Sequence, residues 1–292
     1  MARRKPPTRH GLVIVDKPSG MTSHDVVSVL RKQLGERRIG HAGTLDPDAT
    51  GVLLVGVGYV TRLLTFLSGL DKTYTAQIVL GLSTSTLDSS GAVTATHDMS
   101  NISIEDVQRV VKENFVGKIS QVPPMVSALK VDGVRLHELA RQGIEVERAA
   151  RELTIHGFKV FGMSEPGIVD VEIHCSSGTY IRSLADDLGR ALGGSAHLRN
   201  LRRISVGGFL QSECSNLEDP VVHPPITAVR TMSRVIADEQ MQTMIKHGRE
   251  LEKFDSPAPW VLVDEQNAVL AVYEMSPSGR AKPSVVMANA VA

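Results

Sequence analysis

Alternating apolar and polar positions mark several strands along the chain. In "YTAQIVLG" (74–81) every second residue from Tyr74 to Leu80 is apolar, and "IVDVEIHC" (168–175) alternates in the same way. Because successive side chains of a strand point to opposite faces of a sheet, both segments predict half-buried strands. The β-branched run in "GLVIVDKPSG" (11–20) ends in proline and glycine, which predicts a strand followed by a turn.

Helices are predicted where apolar positions recur every three or four residues behind a capping residue. In "TSHDVVSVLRKQLG" (22–35), Thr22 can cap the helix, Asp25 follows three residues later, and a glycine closes the pattern. "SIEDVQRVVKENFVG" (103–117) repeats this signature, and "RSLADDLGRALGG" (182–194) has the pattern of a short amphipathic helix with a glycine stop.

The order of these elements predicts the fold class. Strands and helices are interspersed without the regular strand–helix–strand repeat of parallel α/β folds, and hairpin-length connections are common. We therefore expect an α+β protein with a mixed, mostly antiparallel central sheet and flanking helices.

Proline content and patterning divide the chain into segments. A basic tail occupies residues 1–10, and residues 11–232 form the main domain, which ends in the proline-rich connection "CSNLEDPVVHPPITAVRTM" (214–232). The stretch "PWVLVDEQNAVLAVYEM" (259–275) predicts a strand, a polar turn and a strand. Residues 236–292 are therefore expected to form a small β domain.

Charge is balanced over the whole chain but uneven along it. The 32 Lys and Arg residues equal the 32 Asp and Glu residues in number. Residues 1–40, however, hold nine basic against three acidic side chains, whereas residues 236–292 hold five against eight. An electropositive surface in the first part could bind a polyanion, although a solvated basic tail accounts for part of the excess.

Composition excludes several classes of protein. Two cysteines, Cys175 and Cys214, are too few for a disulfide scaffold or a cysteine-rich zinc site. The longest apolar runs are too short to span a bilayer, and no signal-peptide core follows the basic start. Nothing in the pattern marks an oligomer interface, so we expect a cytoplasmic monomer with no membrane association.

The loop "GHAGTLDPDATG" (40–51) concentrates the candidate chemistry. It follows the basic pair Arg37-Arg38, precedes an apolar run and holds two carboxylates, Asp46 and Asp48. Aspartates next to proline or in Thr- and Gly-rich loops commonly bond their own backbone, so the simplest interpretation is a pair of turn residues.

A Mg²⁺-dependent aspartyl phosphatase is a second interpretation of this loop. "DPDAT" (46–50) matches the D-x-D-x-T pattern of such enzymes, and Asp186 and Asp187 in "LADDLG" offer a later acidic pair. In that fold the motif ends a strongly apolar strand, whereas "RRIGHAGTL" (37–45) precedes it here. The acidic pair is expected on the outer face of an amphipathic helix, so this interpretation is disfavoured.

A carboxylate that acts at the anomeric carbon of a sugar is a third interpretation. Such a carboxylate must stay ionised where water is excluded, so it needs a cationic partner, for which an arginine fork is best suited. The candidates are Arg182, Arg199, Arg202 and Arg203. Arg182 stands at a predicted strand-to-helix corner, a common location for site residues.

Several stretches together resemble one known family, the bacterial tRNA pseudouridine-55 synthases or TruB family. They span residues 11 to about 206 in order: "LVIVDKPSGMTSHDVV", "RRIGHAGTLDPDATGVLLVGVGYVTRL", "DKTYTAQIVLG", "VPPMVSALKVDGVRLHELARQG" and "VEIHCSSGTYIRSLADDLG". The resemblance implies the pseudouridine synthase fold with a small PUA-like domain at residues 236–292. It also implies isomerisation of uridine 55 in the T loop of tRNA to pseudouridine, with no cofactor and no metal. Consistently, the sequence has no P-loop, no G-x-G-x-x-G fingerprint and no Cys/His ligand set.

The resemblance assigns roles to four residues of a catalytic site. Asp46 corresponds to the catalytic aspartate, which acts either by attack at C1′ or in an elimination to a glycal, and Asp48 is a turn residue. Tyr74 corresponds to an active-site tyrosine that stacks on the uracil and can take a proton. Arg182 corresponds to the arginine that pairs with the aspartate and keeps it ionised, and Leu201 to a leucine that packs against the base.

The resemblance also implies how RNA is bound. His41 corresponds to a residue proposed to fill the space that the flipped-out uridine leaves, an extrusion that costs a few kcal/mol of stacking. Residues 122–152, called the insertion below, resemble a mobile thumb that closes on the T-arm stem-loop. The basic candidates for RNA contact are Lys17, Arg37, Arg38, Lys130, Arg135, Arg141, Arg199, Arg202 and Arg203. The acidic balance of residues 236–292 departs from what an RNA-binding PUA module needs, so this domain is expected mainly to cap the main one.

Two other functions stay open at this point. A catalytically idle RNA-binding or tRNA-folding protein would keep the fold, although binding alone does not require the set Asp46, Tyr74 and Arg182. The Mg²⁺-dependent phosphatase would require both Asp46 and Asp48.

Overall fold

The structure, a computed structural model, describes residues 6–127, 129–131, 133–136, 139, 142–144 and 146–287. Its strands are β1 (Gly11–Lys17), β2 (Ile39–Ala42), β3 (Thr50–Val57), β4 (Lys72–Leu80), β5 (Leu82–Thr84), β6 (Val93–Thr96), β7 (Gly117–Gln121), β8 (Lys130–Val131), β9 (Val134–Arg135), β10 (Arg151–Glu165), β11 (Ile168–Cys175), β12 (Ala196–Val206), β13 (Phe209–Leu210), β14 (Val222–His223), β15 (Ser233–Ile236), β16 (Trp260–Val263), β17 (Val269–Met275) and β18 (Ala281–Val286). Its α-helices are α1 (Ser23–Leu34), α2 (Leu64–Ser68), α3 (Ile104–Asn114), α4 (Ile181–Ala191) and α5 (Glu239–Lys246).

One large mixed sheet organises the described part of the chain. Its strands follow the order β14-β1-β3-β12-β4-β11-β10-β7, with β2 paired to β3 and β13 paired to β12. Neighbours in this sheet run antiparallel except β12 and β3, which are parallel and pair Arg202 with Thr50 and Arg203 with Gly51. The predicted α+β class with a mostly antiparallel sheet is thereby confirmed.

The predicted strands carry the burial pattern that their sequences indicated. Along β4 the buried positions alternate from Lys72 to Leu80, and Tyr74 pairs across the ladder with Ile173 of β11. The apolar face of these two strands packs against α3 and α4 in one hydrophobic core. The side chain of Tyr74 is therefore directed into protein rather than into solvent.

The helix termini follow the predicted capping chemistry. Thr22 and Asp25 form a reciprocal capping box at the start of α1, and Ser103 and Asp106 form the same box at the start of α3. Such a box satisfies backbone N–H groups that the first turn leaves unpaired. Replacement of either cap by alanine typically costs ~1 kcal/mol of stability.

The position of Asp186 differs from its prediction. Helix α4 begins at Ile181, and Asp186 lies buried and paired with Arg190 instead of on an outer face. Asp186 and residues of segment 120–126 line one cavity on this side of the helix, so another part of the chain lies near a position that the amphipathic pattern placed outside. The outer-face prediction fails because periodicity along one helix carries no information about other segments that fold against it.

The C-terminal residues build a second, four-stranded sheet in the order β15-β16-β17-β18. Its strands β16 and β17 form the predicted strand–turn–strand unit. Val261 and Val272 of this sheet share one hydrophobic core with Leu12 and Leu54 of the large sheet. The two sheets therefore stabilise each other through continuous apolar packing.

None of the helices within the described ranges combines the length and apolar composition that crossing a bilayer requires.

Candidate active site

Hydrogen bonds from the β1–α1 region fix the loop that carries Asp46. The Ser23 hydroxyl accepts from the Leu45 backbone N–H at 2.9 Å and lies 3.2 Å from the Leu45 carbonyl. Pro47, the next residue after Asp46, accepts from the Gly20 backbone N–H at 3.0 Å and from Lys17 Nζ at 2.9 Å. Bonds on both sides of Asp46 therefore hold its backbone against the rigid start of α1.

A glycine lets β12 approach this loop closely. Gly51 has a φ of +103°, and a Cβ atom there would lie 2.2 Å from the carbonyl oxygen of Arg203. No other residue fits this position without moving backbone. The close parallel pairing that results brings the Arg203 side chain under the loop, where it donates to the carbonyls of Gly43, Thr44 and Val52.

Arg182 forms a two-pronged ion pair with Asp46. Its Nε lies 2.9 Å from Asp46 Oδ2, and a terminal nitrogen donates to Oδ1 at 3.2 Å. The Arg182 side chain is only 5% exposed, whereas that of Asp46 is 40% exposed. The cation is thus enclosed, and the carboxylate presents its open side to the adjacent space.

Asp88 is a second carboxylate beside the same guanidinium. Its Oδ2 lies 3.6 Å from a terminal nitrogen of Arg182, while Oδ1 accepts hydrogen bonds from the hydroxyls of Thr86 and Ser90. Arg182 also donates to the carbonyls of Thr86 and Val126, both at 2.9 Å. The guanidinium is therefore fully engaged and fixed in one orientation.

The environment raises the pKa of Asp46. Burial is the largest cause, and the nearby Asp88 carboxylate raises this pKa further, whereas Arg182 and Lys17 lower it. Arg182 therefore offsets only part of the desolvation of the carboxylate, so the pair does not hold the Asp46 pKa below its usual range. A raised pKa in a carboxylate that faces a cavity is typical of functional sites.

Tyr74 and Arg203 lie against each other on neighbouring strands. They are register partners between β4 and β12, and the Arg203 guanidinium donates a hydrogen bond to the Tyr74 hydroxyl. Burial nevertheless raises the pKa of Tyr74, and the Arg203 charge counteracts only part of this effect. The phenol is therefore a neutral, oriented ring at neutral pH.

Four of the predicted site residues meet in one cavity. Asp46, Tyr74, Arg182 and Leu201 line a cavity of about 310 Å³, together with Lys72 and Tyr180 among others. A second cavity of about 450 Å³ lies on the other side of Asp46 and Arg182. An ionisable carboxylate with a fixed cation, an aromatic face and an aliphatic side chain can together hold a flat polar ring attached to a sugar.

The other sequence candidates are placed differently. Asp48 is exposed on the loop, and its carbonyl accepts from the Ser19 hydroxyl. His41 lies half-buried on strand β2 and not in a loop, and burial lowers its pKa. Its Nδ1 atom is buried without a hydrogen-bond partner in the described part of the chain.

Several of the basic RNA-contact candidates are internal, which corrects the sequence analysis. Lys17 is fully buried, and its ammonium donates to the carbonyls of Pro18, Met21 and Pro47. Arg203 is 1% exposed beneath the loop. Charge alone suggested surface positions, but both side chains are enclosed and donate to backbone carbonyls, so neither is available at the surface for RNA.

The remaining basic candidates fall into three groups. Arg202 forms a two-pronged pair with Asp16 at 2.7 and 3.0 Å, and Arg199 pairs with Glu165 at 3.5 Å. Arg37 and Arg38 are exposed. The side chains of Lys130 and Arg135 and the whole of Arg141 lie outside the described residues.

Three residues at this site had no clear signal in the sequence. Asp88 lies in a Ser- and Thr-rich stretch that predicts only a turn, and Lys72 and Tyr180 flank recognised motif positions without a distinguishing pattern. Burial lowers the pKa of Lys72 to about 8, and its ammonium donates to the carbonyls of Ser68 and Leu70. All three residues reach the site from segments that are distant in the chain from the Asp46 loop, and local patterns do not encode that arrangement.

Known structures share this fold. The chain aligns with a chain in the crystal structure of a Cbf5-Nop10-Gar1 complex with a TM-score of 0.69 and 26% identity, over 90% of this chain and 78% of that one. A chain of the archaeal box H/ACA sRNP Nop10-Cbf5 complex aligns with a TM-score of 0.68 over 97% and 88% of the two chains. At 22% identity the second match shows likeness of fold alone.

Family models define the class of protein. A model for the N-terminal domain of the TruB family pseudouridylate synthases matches residues 31–181, and a model for the C-terminal domain of tRNA pseudouridylate synthase B matches residues 182–221. Together with the fold, these matches define a pseudouridylate synthase.

Individual relatives narrow the class to one family. The tRNA pseudouridine synthase B of Rhodococcus jostii is 43% identical over 98% of this chain and 97% of its own length. The enzymes of the same name from Arthrobacter sp. and Syntrophotalea carbinolica are 45% and 48% identical over 82% and 72% of this chain, and 82% and 68% of their own lengths. The chain belongs to the TruB family.

Proposed function

We propose that this chain isomerises uridine to pseudouridine in tRNA, at position 55 of the T loop, with Asp46 as the catalytic carboxylate. The observation that carries the proposal is the ion pair of Asp46 with Arg182 at the wall of a cavity that Tyr74 and Leu201 also line. Family membership supports the reaction, and these four positions are those that the family resemblance assigned to it.

The reaction rearranges bonds within one nucleotide. The bond between C1′ and N1 breaks, the uracil turns within the cavity, and C5 bonds to C1′ while C5 loses a proton and N1 gains one. Asp46 acts at the ribose, by attack on C1′ or by elimination to a glycal, and both routes require its ionised form. Arg182 supports that ionised form and aims it, because its guanidinium is fixed by four partners.

The base must stay in the cavity while it is detached. The ring of Tyr74 gives the base a flat surface, and the side chain of Leu201 adds an aliphatic surface to the cavity. Because the pKa of Tyr74 is raised, its phenol stays protonated and serves as a platform and hydrogen-bonding group, not as a phenolate base. Retention of the detached uracil in an enclosed site favours recombination through C5 over loss of the base.

The uridine reaches Asp46 only when it leaves the stacked T loop, which costs a few kcal/mol. We assign His41 to the space that the uridine vacates. Its half-buried ring sits on β2 five residues before Asp46, and burial lowers its pKa, which favours the neutral ring. The ring can then replace lost stacking without a charge that would need its own partner.

Recognition of the T-arm stem-loop is proposed to depend on backbone charge and RNA shape. Arg37 and Arg38 are the exposed cations nearest in sequence to the catalytic loop and are suited to contact phosphates. The insertion is proposed to close on the RNA. The enzyme is proposed to act as a monomer, in the cytoplasm where tRNA is processed.

Residues 11–232 are proposed as the catalytic domain and residues 236–292 as a PUA-like cap. The shared hydrophobic core of the two sheets supports a stabilising role for the C-terminal residues. Their excess of acidic side chains, eight against five basic ones, opposes a strong electrostatic contribution to RNA binding.

The proposal is tested with a T-arm RNA stem-loop incubated with the protein in EDTA. Pseudouridine is expected at the T-loop uridine and at no other uridine of the stem-loop. A matched stem-loop with cytidine at that position is expected to remain unmodified. RNA binding without pseudouridine formation would support a non-catalytic tRNA-binding protein. Mg²⁺-dependent release of phosphate from a phosphate monoester, with no pseudouridine formed, would support the phosphatase.

A further inference from the structure

Gln121 makes an unusual buried contact at the base of the insertion. It is the last residue of β7, its side chain is 2% exposed, and its amide faces the residue that precedes helix α4. Gln121 Nε2 donates to the carbonyl of Tyr180 at 3.0 Å, and the backbone N–H of Tyr180 donates to Gln121 Oε1 at 2.8 Å. One side chain thus satisfies both backbone polar groups of Tyr180.

The position of Tyr180 sets the start of the catalytic helix. Tyr180 is the N-cap residue of α4, and its own side chain supplies no capping bond there. Its carbonyl also accepts the first helical hydrogen bond, from the backbone N–H of Leu184 at 3.2 Å. Since Arg182 lies only two residues further on, a shift of Tyr180 displaces the guanidinium that pairs with Asp46.

The chain that follows Gln121 touches the same helix again. The carbonyl of Val126 accepts from Arg182 at 2.9 Å, and Ser127 hydrogen-bonds the Tyr180 side chain. Residues 121–127 therefore contact α4 at its backbone, at the hydroxyl of Tyr180 and at the catalytic guanidinium. Because residues 122–127 begin the insertion, these contacts connect the insertion to the catalytic helix.

We propose that Gln121 is a positioning residue, which holds the start of α4 so that the Arg182 guanidinium is oriented toward Asp46. The inference rests on the proposed function for its kinetic consequence, but the position of Arg182 can be measured without any turnover.

Two variants test the role of the amide. Gln121→Met keeps the length and apolar packing of the side chain but removes both hydrogen bonds to Tyr180. Gln121→Glu keeps both bonds while its carboxyl group is protonated, and sets a carboxylate against the Tyr180 carbonyl when it is not. Gln242→Met is the matched control, because Gln242 donates one side-chain hydrogen bond to the Ala237 carbonyl, far from the cavity.

Single-turnover pseudouridine formation, RNA affinity and thermal unfolding are measured for each variant. Gln121→Met is expected to slow the chemical step roughly tenfold to a hundredfold, as a misplacement of about 1 Å does, with RNA affinity within about threefold of the parent. The rate of Gln121→Glu relative to the parent is expected to be higher at pH 5.5 than at pH 8. Gln242→Met is expected to keep the parental rate.

A direct readout separates this inference from the proposed function. The ¹⁵N resonance of Arg182 Nε, assigned by its loss in Arg182→Met, is expected to shift in Gln121→Met and to stay unchanged in Gln242→Met. An unshifted resonance, or a lowered melting temperature with a parental rate per folded molecule, would overturn the positioning role. If the parent protein forms no pseudouridine, the proposed function fails while the resonance still decides whether Gln121 positions Arg182.

Discussion

The guanidinium of Arg182 and the carboxylate of Asp46 meet at 2.9 and 3.2 Å, although 136 residues separate them in the chain. Arg182 is brought there by the first turn of α4, and Asp46 by a loop tied to the start of α1. The large sheet on which both helices pack therefore brings the two groups together, and the geometry of the pair depends on the whole fold.

Removal of the cation from this pair is expected to lower the catalytic rate more than the affinity for RNA. Arg182→Met leaves Asp46 without the fixed cation that orients it, and removal of one such preorganised group typically lowers the rate by about 10²- to 10³-fold. Single-turnover assays and RNA titrations measure the two effects. A collapse of RNA affinity with a retained rate would show that Arg182 binds RNA instead.

The rate of pseudouridine formation is expected to fall at low pH, with a midpoint (the acid limb of the pH–rate profile) above the ordinary pKa of an aspartate. The reason is that burial and Asp88 raise the pKa of Asp46. Since the ionised form reacts, activity falls as the pH drops through this raised value. Asp88→Asn removes a neighbouring negative charge and is expected to move the limb to lower pH. An unchanged limb in Asp88→Asn would indicate that a different group controls it.

Lys17 is expected to act in stability. Lys17→Met removes a donor from the carbonyls of Pro18, Met21 and Pro47, of which Pro47 keeps the Gly20 N–H, and is expected to lower the free energy of unfolding by about 1–3 kcal/mol. Urea denaturation measures this loss. The salt dependence of RNA binding should not change, and a lower salt slope with full stability would restore Lys17 as a phosphate contact.

The exposed pair Arg37 and Arg38 is expected to contribute to RNA affinity. The double change to alanine should weaken binding of the stem-loop and reduce the slope of log K against log salt by up to about two, one for each lost phosphate contact. The matched control changes Lys246 and Lys253, two exposed cations of the C-terminal residues, to alanine. Equal effects in both double variants would contradict a local RNA surface near the catalytic loop.

Features that depend on near neighbours in the sequence, such as helix caps and the buried face of a strand, were predicted well. The capping boxes at Thr22 and Ser103 and the buried face of β4 follow from spacing within one element, because hydrogen bonds and side-chain alternation there depend only on near neighbours. The strand at His41 was missed because the Gly-rich sequence around it is typical of a loop. The strand forms by pairing with β3, which the residues around His41 do not reveal.

The sequence carried less information about the surroundings of the site. Lys17 and Arg203 were expected on an RNA-binding surface but are enclosed, because each meets carbonyls that the fold brings together. Asp88 and Gln121 contact α4 from distant segments. In the sequence alone, Asp88 resembles an ordinary turn residue and Gln121 resembles the ordinary end of a strand. Burial and long-range contact are properties of the packed chain, so residue type and spacing could not specify them.

The central claim is that Asp46, and not its neighbour Asp48, is the reacting carboxylate. The most direct measurement compares single-turnover pseudouridine formation in a T-arm stem-loop, in EDTA, for the parent, Asp46→Asn and Asp48→Asn. We expect no detectable product with Asp46→Asn, with RNA binding retained, and a rate within about twofold of the parent with Asp48→Asn, as for an exposed surface position. Equal loss of activity in both variants, or full activity in Asp46→Asn, would contradict this account.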